Sequence, residues 1–412
     1  MDTISNLVTS ERAYWVAWSR LERLGPILLK RLCETFGSLA DAWQAPAAAL
    51  QQVDGIGDRL AASIVRQRRQ LSPTALLAQL EAANQSFWTP ADADYPHLLF
   101  ETVDPPPVLY YRGPLRLNNL PSTALTVGMV GTRRPSNYGS RWTQRLGKCL
   151  SQQGYVIVSG LADGIDTLAH RSCLKQQGLT VAVLGTGVDV VYPRFNQLLY
   201  DRICQTGLIL SEYPDGTPPS RAHFPQRNRI IAGLSRALLV TEAPQRSGAL
   251  ITAHLANDYG REVYALPSSV ENPCGRGCLE LIAQGCQMIL DETTLCAALS
   301  ELPAMAQAAD VKPSAREAAG EEAAEVEAAV DSSASQAKAQ ATAPHPAAPD
   351  LSALTPELSA VFAAISTEPA SLEAIADRTQ LETGTILSSL VQLELLGLVM
   401  QLPGMRYQRA IP

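Results

Sequence analysis

The chain has 412 residues, 46% of them apolar, and a formal charge of −7, enough length for two or three domains, each with its own core. No apolar run nears the roughly 20 residues of a membrane span, and the start, MDTISNLVTSERAYW, lacks the basic and apolar regions of a signal peptide, so a cytoplasmic protein without membrane contact is expected. The acidity is concentrated in residues 301–350, with nine Asp/Glu against three Lys/Arg, so it does not exclude nucleic acid from a basic patch elsewhere.

Residues 1–83 read as a helical domain of the helix-hairpin-helix (SAM-like) kind. Val53-Asp-Gly-Ile-Gly57 has the hairpin pattern, in which Gly55 and Gly57 permit a tight turn whose amides open the next helix toward a phosphate. Leu21–Leu32 looks like a degenerate copy, with Arg23 where the first glycine would stand. Such pairs bind DNA in some proteins and are plain packing modules in others, and the sequence leaves both open. Residues 84–121 carry Pro105-Pro106-Pro107, Trp88, Tyr95, Tyr110 and Tyr111. That is too apolar for a free linker, and the segment is expected to pack on the following domain.

Over residues 122–299, helix-length segments alternate with the apolar runs Leu125–Val130, Tyr155–Val158, Thr180–Leu184, Leu208–Leu210, Ala237–Thr241, Glu262–Leu266 and Gln287–Leu290. Near-continuous Val/Ile/Leu strands joined by helical crossovers predict a Rossmann-like α/β domain with a mainly parallel, doubly wound sheet. Residues 300–352 are Ala, Glu, Pro and Ser, a composition that predicts a disordered linker, with transient helix over Ala315–Val330. Residues 353–412 read as a winged-helix domain: helices Glu357–Ile365, Leu372–Thr379 and Thr383–Leu396, then a hairpin of Leu398–Gln401 and Arg406–Gln408. The third helix contains no Lys or Arg, so a protein-contact or weak DNA role is expected of this tail.

Ligands of open α/β sheets bind outside the carboxyl ends of the strands. Those ends carry Gly131-Thr132-Arg133, Ser159-Gly160, Gly185-Thr186-Gly187 and Ser211-Glu212. Two inserted segments add Arg227-Asn228-Arg229 after Phe224-Pro225, and Ser247-Gly248. Small, hydroxyl and guanidinium groups at one edge predict a phosphate-binding crevice lined by N–H, OH and arginine donors. Asp163 and Asp166 suit capping of the following helix, and His170 and His254 suit structural roles. Cys274, Cys278 and Cys286 have no fourth ligand of convincing spacing, so no metal site is expected. There is no P-loop and no dinucleotide fingerprint, so no cofactor is expected.

The phrases VGTRRPSNYG, SGLADGIDTLAH, LGTGVDVVYPRFN, LSEYP, FPQRNRIIAGLS and SGALITA, in that order, resemble those of the DNA-processing protein DprA (Smf) family. The resemblance implies a non-enzymatic protein that binds single-stranded DNA by its backbone, helps load the recombinase RecA during natural transformation, and pairs as a homodimer through its Rossmann-like domain. It places the DNA pocket on Gly131, Thr132, Arg133, Ser159, Gly160, Lys175, Arg227, Asn228 and Arg229. Beside them, Phe224, Tyr138 and Tyr192 read equally as stacking platforms or as core residues. Ser268 and Cys286 depart from the family pattern by small-for-small changes.

The rival reading is a nucleotide-processing enzyme, similar to nucleoside-monophosphate phosphoribohydrolases, with Glu212 and Glu242 as its carboxylates. Arg246–Ala256 stands where that group carries its Gly-Gly and glutamate signature and has neither, so no catalytic residue is expected. The bland reading of Arg227 and Arg229 is ion pairing with Glu212 and Glu242.

Overall fold

The computed structural model describes residues 11–121, 125–302 and, in part, 356–409. The linker expected over 300–352 falls outside the described residues from position 303 on. The chain divides into two compact units, Met1–Ala315 and Arg316–Pro412.

The first unit begins with helices α1 (residues 11–18), α2 (Pro26–Phe36), α3 (Leu39–Gln44), α4 (Ala47–Leu50), α5 (Asp58–Arg68) and α6 (Pro73–Ala82). Their core holds Trp15, Trp18, Leu29, Leu32, Trp43 and Ile64. The two hairpins are a geometric pair. Gly55 has φ +91° and Arg23, its counterpart, φ +63°. Gly25 (φ −88°, ψ 171°) and Gly57 (φ −85°, ψ 176°) cap the helices that follow. Arg23 therefore holds a left-handed conformation that favours glycine.

A nine-stranded sheet follows, made of β1 (Phe87–Trp88), β2 (Leu109–Arg112), β3 (Thr126–Gly131), β4 (Val156–Ser159), β5 (Thr180–Val183), β6 (Leu208–Ser211), β7 (Ala237–Glu242), β8 (Glu262–Ala265) and β9 (Gln287–Met288). Its order is β1-β2-β6-β5-β4-β3-β7-β8-β9. The strands β3 to β9 pair in parallel, as the apolar runs predict. The segment 84–121 does more than pack on the sheet: β2 joins β6, and β1 joins β2, both antiparallel.

Successive strand residues face opposite sides. Val130, Val158, Val183 and Val240 pack under α11 (His223–Leu234), α12 (Gly248–Asp258) and α13 (Arg276–Ala283). Val127, Met129, Ile157 and Leu239 pack against α8 (Asn137–Gln152), α9 (Ile165–Lys175) and α14 (Glu292–Ser300). On that second face, further along the sheet, Ala182 and Ile209 meet α10 (Gln197–Thr206) and residues of α1 and α6. Each fully buried aliphatic side chain contributes about 1.5–3 kcal/mol, so burial on both faces holds this part of the sheet. Chain order runs outward from β3 to β6 and then returns to β7 on the other side of β3. The topological switch point therefore lies between β3 and β7.

The second unit contains α15 (Pro356–Ala364) and an antiparallel sheet of β10 (Ala370–Ser371), β11 (Val399–Leu402) and β12 (Arg406–Arg409), in the order β10-β12-β11. Leu358, Val361, Ile386, Leu390 and Tyr407 form its core. The hairpin is that of the expected wing; the two-residue β10 is additional.

Candidate nucleic-acid interface

At the switch point the loop after β3 is held from two sides. Thr132 donates its amide to the Glu242 carbonyl at 2.7 Å, and its carbonyl accepts from Ile165 at 3.1 Å. Gly131 has no room for a side chain, since a Cβ would lie 2.7 Å from the Glu242 carbonyl oxygen. Ser136 then caps α8, accepting from Gly139 at 3.1 Å. Ser136 itself donates, through amide and hydroxyl, to the Glu242 carboxylate at 2.7 and 2.6 Å. Glu242 also accepts from Asn272 at 3.1 Å. It is a buried anchor for the start of α8 rather than a carboxylate facing the crevice.

After β4, Asp166 closes the loop by accepting from the amides of Gly160 at 3.1 Å and Ala162 at 3.4 Å. It thus clamps its own loop instead of capping the helix. Burial raises its pKa, opposed by Arg227 and by those amides. Arg227, from α11, is 4% exposed and donates to the carbonyls of Gly160, at 2.6 Å, and of Val183. Burial lowers its pKa to about 10, with Asp166 opposing and Arg133 adding to the shift. Its Nε has no hydrogen-bond partner. The amides of Thr132 and Gly160 are therefore spent inside the protein, contrary to the expectation of an open N–H cradle at both turns.

What faces solvent is cationic and aromatic. A cavity of about 720 Å³ is lined by Gly131, Thr132, Arg133, Arg134, Arg221, Arg227, Asn228, Arg246, Ser247 and Gly248, among others. It adjoins a smaller one of about 270 Å³, into which Gly160, Gly185, Tyr192, Phe195 and Phe224 also open. Arg133 stands 5.6 Å above the Phe224 ring, whose centroid is 5.6 Å from that of Tyr192. Ser247 caps α12, accepting from Ala249 at 3.2 Å, so the start of that helix forms one wall and favours negative charge. Asn228 bridges to the Gly248 carbonyl at 3.3 Å.

Four predicted residues lie elsewhere. Arg229 is two residues from Arg227 and so points about 200° away around the helix. It pairs with Glu212 at 2.6 Å and Asp104 at 3.6 Å. Burial works against its charge, but the two carboxylates outweigh it and raise its pKa. The ion-pair reading holds for Glu212 and fails for Glu242. Lys175 sits in the last turn of α9, about 15 Å of helix from the crevice end. Ser159 is fully buried and donates to the Met129 carbonyl at 2.6 Å, bracing β4 on β3 from beneath. Tyr138 is also outside, donating to the Pro267 carbonyl at 3.0 Å.

Arg134, Arg221, Arg246 and Phe195 join the lining without having been singled out as site residues. For the three arginines the signal was the recurrence of arginine beside the strand-end segments. His170 is buried, with Nδ1 2.7 Å from the Thr180 hydroxyl. Cys278 is buried against the Val240 carbonyl at 3.6 Å. Among the described residues no cluster of His, Cys, Asp or Glu has a metal-binding arrangement, and no helix is long and apolar enough to cross a membrane.

The first unit is thus a doubly wound α/β protein with a guanidinium-lined, aromatic-rimmed crevice at its switch point. Residues 86–300 match the family of DNA recombination-mediator protein A, and residues 345–405 match the DprA winged helix domain. The chain is 46% identical over 405 residues to Protein Smf of Synechocystis, spanning 98% of this chain and 100% of that one. It is 45% identical over 198 residues to the DNA processing protein DprA of Streptococcus pneumoniae, spanning 48% and 68% respectively. The X-ray structure of that pneumococcal protein aligns with a TM-score of 0.59 at 34% identity, over 69% of this chain and 95% of the other. The chain belongs to the DprA/Smf family of DNA recombination mediators.

Proposed function

We propose that the protein binds single-stranded DNA in the switch-point crevice, through its phosphates, and presents it for RecA loading in recombination that includes natural transformation. The observation that carries this reading is the lining itself: five arginines, Arg133, Arg134, Arg221, Arg227 and Arg246, meet three aromatic rings in one crevice. Guanidinium forks suit phosphate oxygens, and Tyr192, Phe195 and Phe224 suit bases that a duplex would keep stacked. Few groups there could read base edges, which fits sequence-tolerant binding. The protein works without catalysis: Glu212 is held by Arg229 and Glu242 by Ser136 and Asn272, so neither is free as a general base. It acts as a cytoplasmic homodimer through the Rossmann-like domain.

The test is equilibrium binding of a labelled oligothymidine, with duplex DNA and AMP as competitors. Tight binding that Arg133→Ala/Arg246→Ala abolishes and duplex displaces poorly supports the reading. Displacement by AMP with release of free base overturns it.

A further inference from the structure

We propose that the groove between α8 and α9 is a second phosphate-binding track, which takes single-stranded DNA as it leaves the crevice. The inference rests on the crevice reading only for where the strand comes from. The groove measures about 630 Å³ and displays Arg141 and Lys148 on α8 and Arg171 and Lys175 on α9. All four are exposed. Among the described residues none of the four has an ion-pair partner, and no Asp or Glu lines the groove. Arg145 beside them marks the contrast, since its Nε and Nη2 donate to the Glu292 carboxylate at 2.5 and 2.9 Å.

Placement makes these cations more than a solvated face. Arg141 and Lys148 are seven residues apart, two turns of α8 and about 10 Å of rise, and Arg171 and Lys175 are one turn apart on α9. The two helices pack closely along this line, because Gly147 leaves no room for a Cβ beside the Ser172 hydroxyl. The result is two rows of positive charge facing one channel. Both walls of the groove begin beside the crevice: α8 starts three residues after Arg134, and α9 starts from the loop that carries Gly160 and Asp163. Asn137 and Gln144 add amides suited to phosphate oxygens. A protein partner would be expected to find an apolar anchor, and Leu168 is the only apolar residue lining the groove. Lys175 in the last turn also offsets the negative end of α9, but that explains one charge of four.

The test compares a short oligothymidine of about six nucleotides with one of about thirty, well beyond the ~4–16 nucleotides of one binding platform. The groove variant is Arg141→Gln/Lys148→Gln/Arg171→Gln/Lys175→Gln, and the crevice variant is Arg133→Ala/Arg246→Ala. The groove variant should leave the short oligomer's affinity unchanged. It should weaken the long one at least tenfold at low salt and flatten its log–log salt dependence by up to about 3, at ~0.7 per lost contact. Wild-type affinity and slope for both oligomers in the groove variant overturn the proposal. Failure of the crevice reading looks different: the short oligomer then ignores the crevice variant, whatever the groove variant does to the long one.

Discussion

Replacing Gly160 by alanine should break the crevice from within. A Cβ there would lie 2.5 Å from Cζ of Arg227, 2.6 Å from Nη2 and closer still to Nη1. The guanidinium must move, although it is buried and bound to the carbonyls of Gly160 and Val183. Each hydrogen bond from a charged donor contributes about 1.5–3 kcal/mol. The displaced group regains part of that by turning into the open crevice, so a net loss of about 3 kcal/mol is expected. In a unit of about 300 residues, with an unfolding entropy of ~2.1 cal/mol/K per residue, that lowers Tm by about 5 °C. Thermal unfolding and oligothymidine binding, read on one preparation, should both fall. In Arg227→Ala the space is free, so adding Gly160→Ala should cost less than about 1 kcal/mol more, a non-additivity that only direct contact produces. A Gly160→Ala protein with wild-type Tm and affinity would refute this account of the crevice.

Gly248→Ala is the contrasting case, because a Cβ there meets nothing within 4 Å. Tm should stay within about 1 °C of wild type, while oligothymidine binding weakens if the strand comes up to the start of α12; unchanged binding would remove that wall from the site. Arg229→Ala should destabilise by about 3–5 kcal/mol, since it strands Glu212 and Asp104, yet leave the affinity of the folded fraction intact; intact stability with lost binding would return Arg229 to the crevice. His170 is kept neutral by burial, with its pKa lowered to about 3 from 6.5. The unfolded chain therefore binds the extra proton first, and stability should drop by about 1.4 kcal/mol per pH unit as pH falls below 6.5. Denaturant titrations of His170→Gln should show a slope shallower by one proton over that range, and an unchanged slope would contradict the assignment.

The parallel strands were legible because burial on both faces leaves continuous apolar runs; their order was not, since connectivity leaves open where the sheet reverses to put β7 beside β3. The connector's strands were not, because β1 and β2 are short and exist only through pairing, β2 with β6 and β1 with β2. The same holds for β10, whose two residues become a strand only opposite Arg406 and Tyr407. At the site, position along the chain identified the crevice loops but not the direction of side chains on α11. Reading Arg227 and Arg229 as one pair ignored the helical phase that sends one to the crevice and the other to Glu212. Lys175 lies away from the crevice for a related reason, since a motif's neighbourhood in sequence extends along a helix that leads away from the strand ends. The amides of Thr132 and Gly160 looked available because their acceptors, the Glu242 carbonyl and the Asp166 carboxylate, become neighbours only in the folded structure.

The central claim is that arginines at the switch point hold the phosphates of a single strand. The most direct measurement is the salt dependence of short-oligothymidine affinity for wild type and for Arg133→Ala/Arg134→Ala/Arg246→Ala. All three side chains are exposed, so folding should be preserved. In the triple variant the affinity should fall and the log–log slope become shallower by about 2, at ~0.7 per contact. Equal slopes with equal affinities would contradict it and put the strand on another surface.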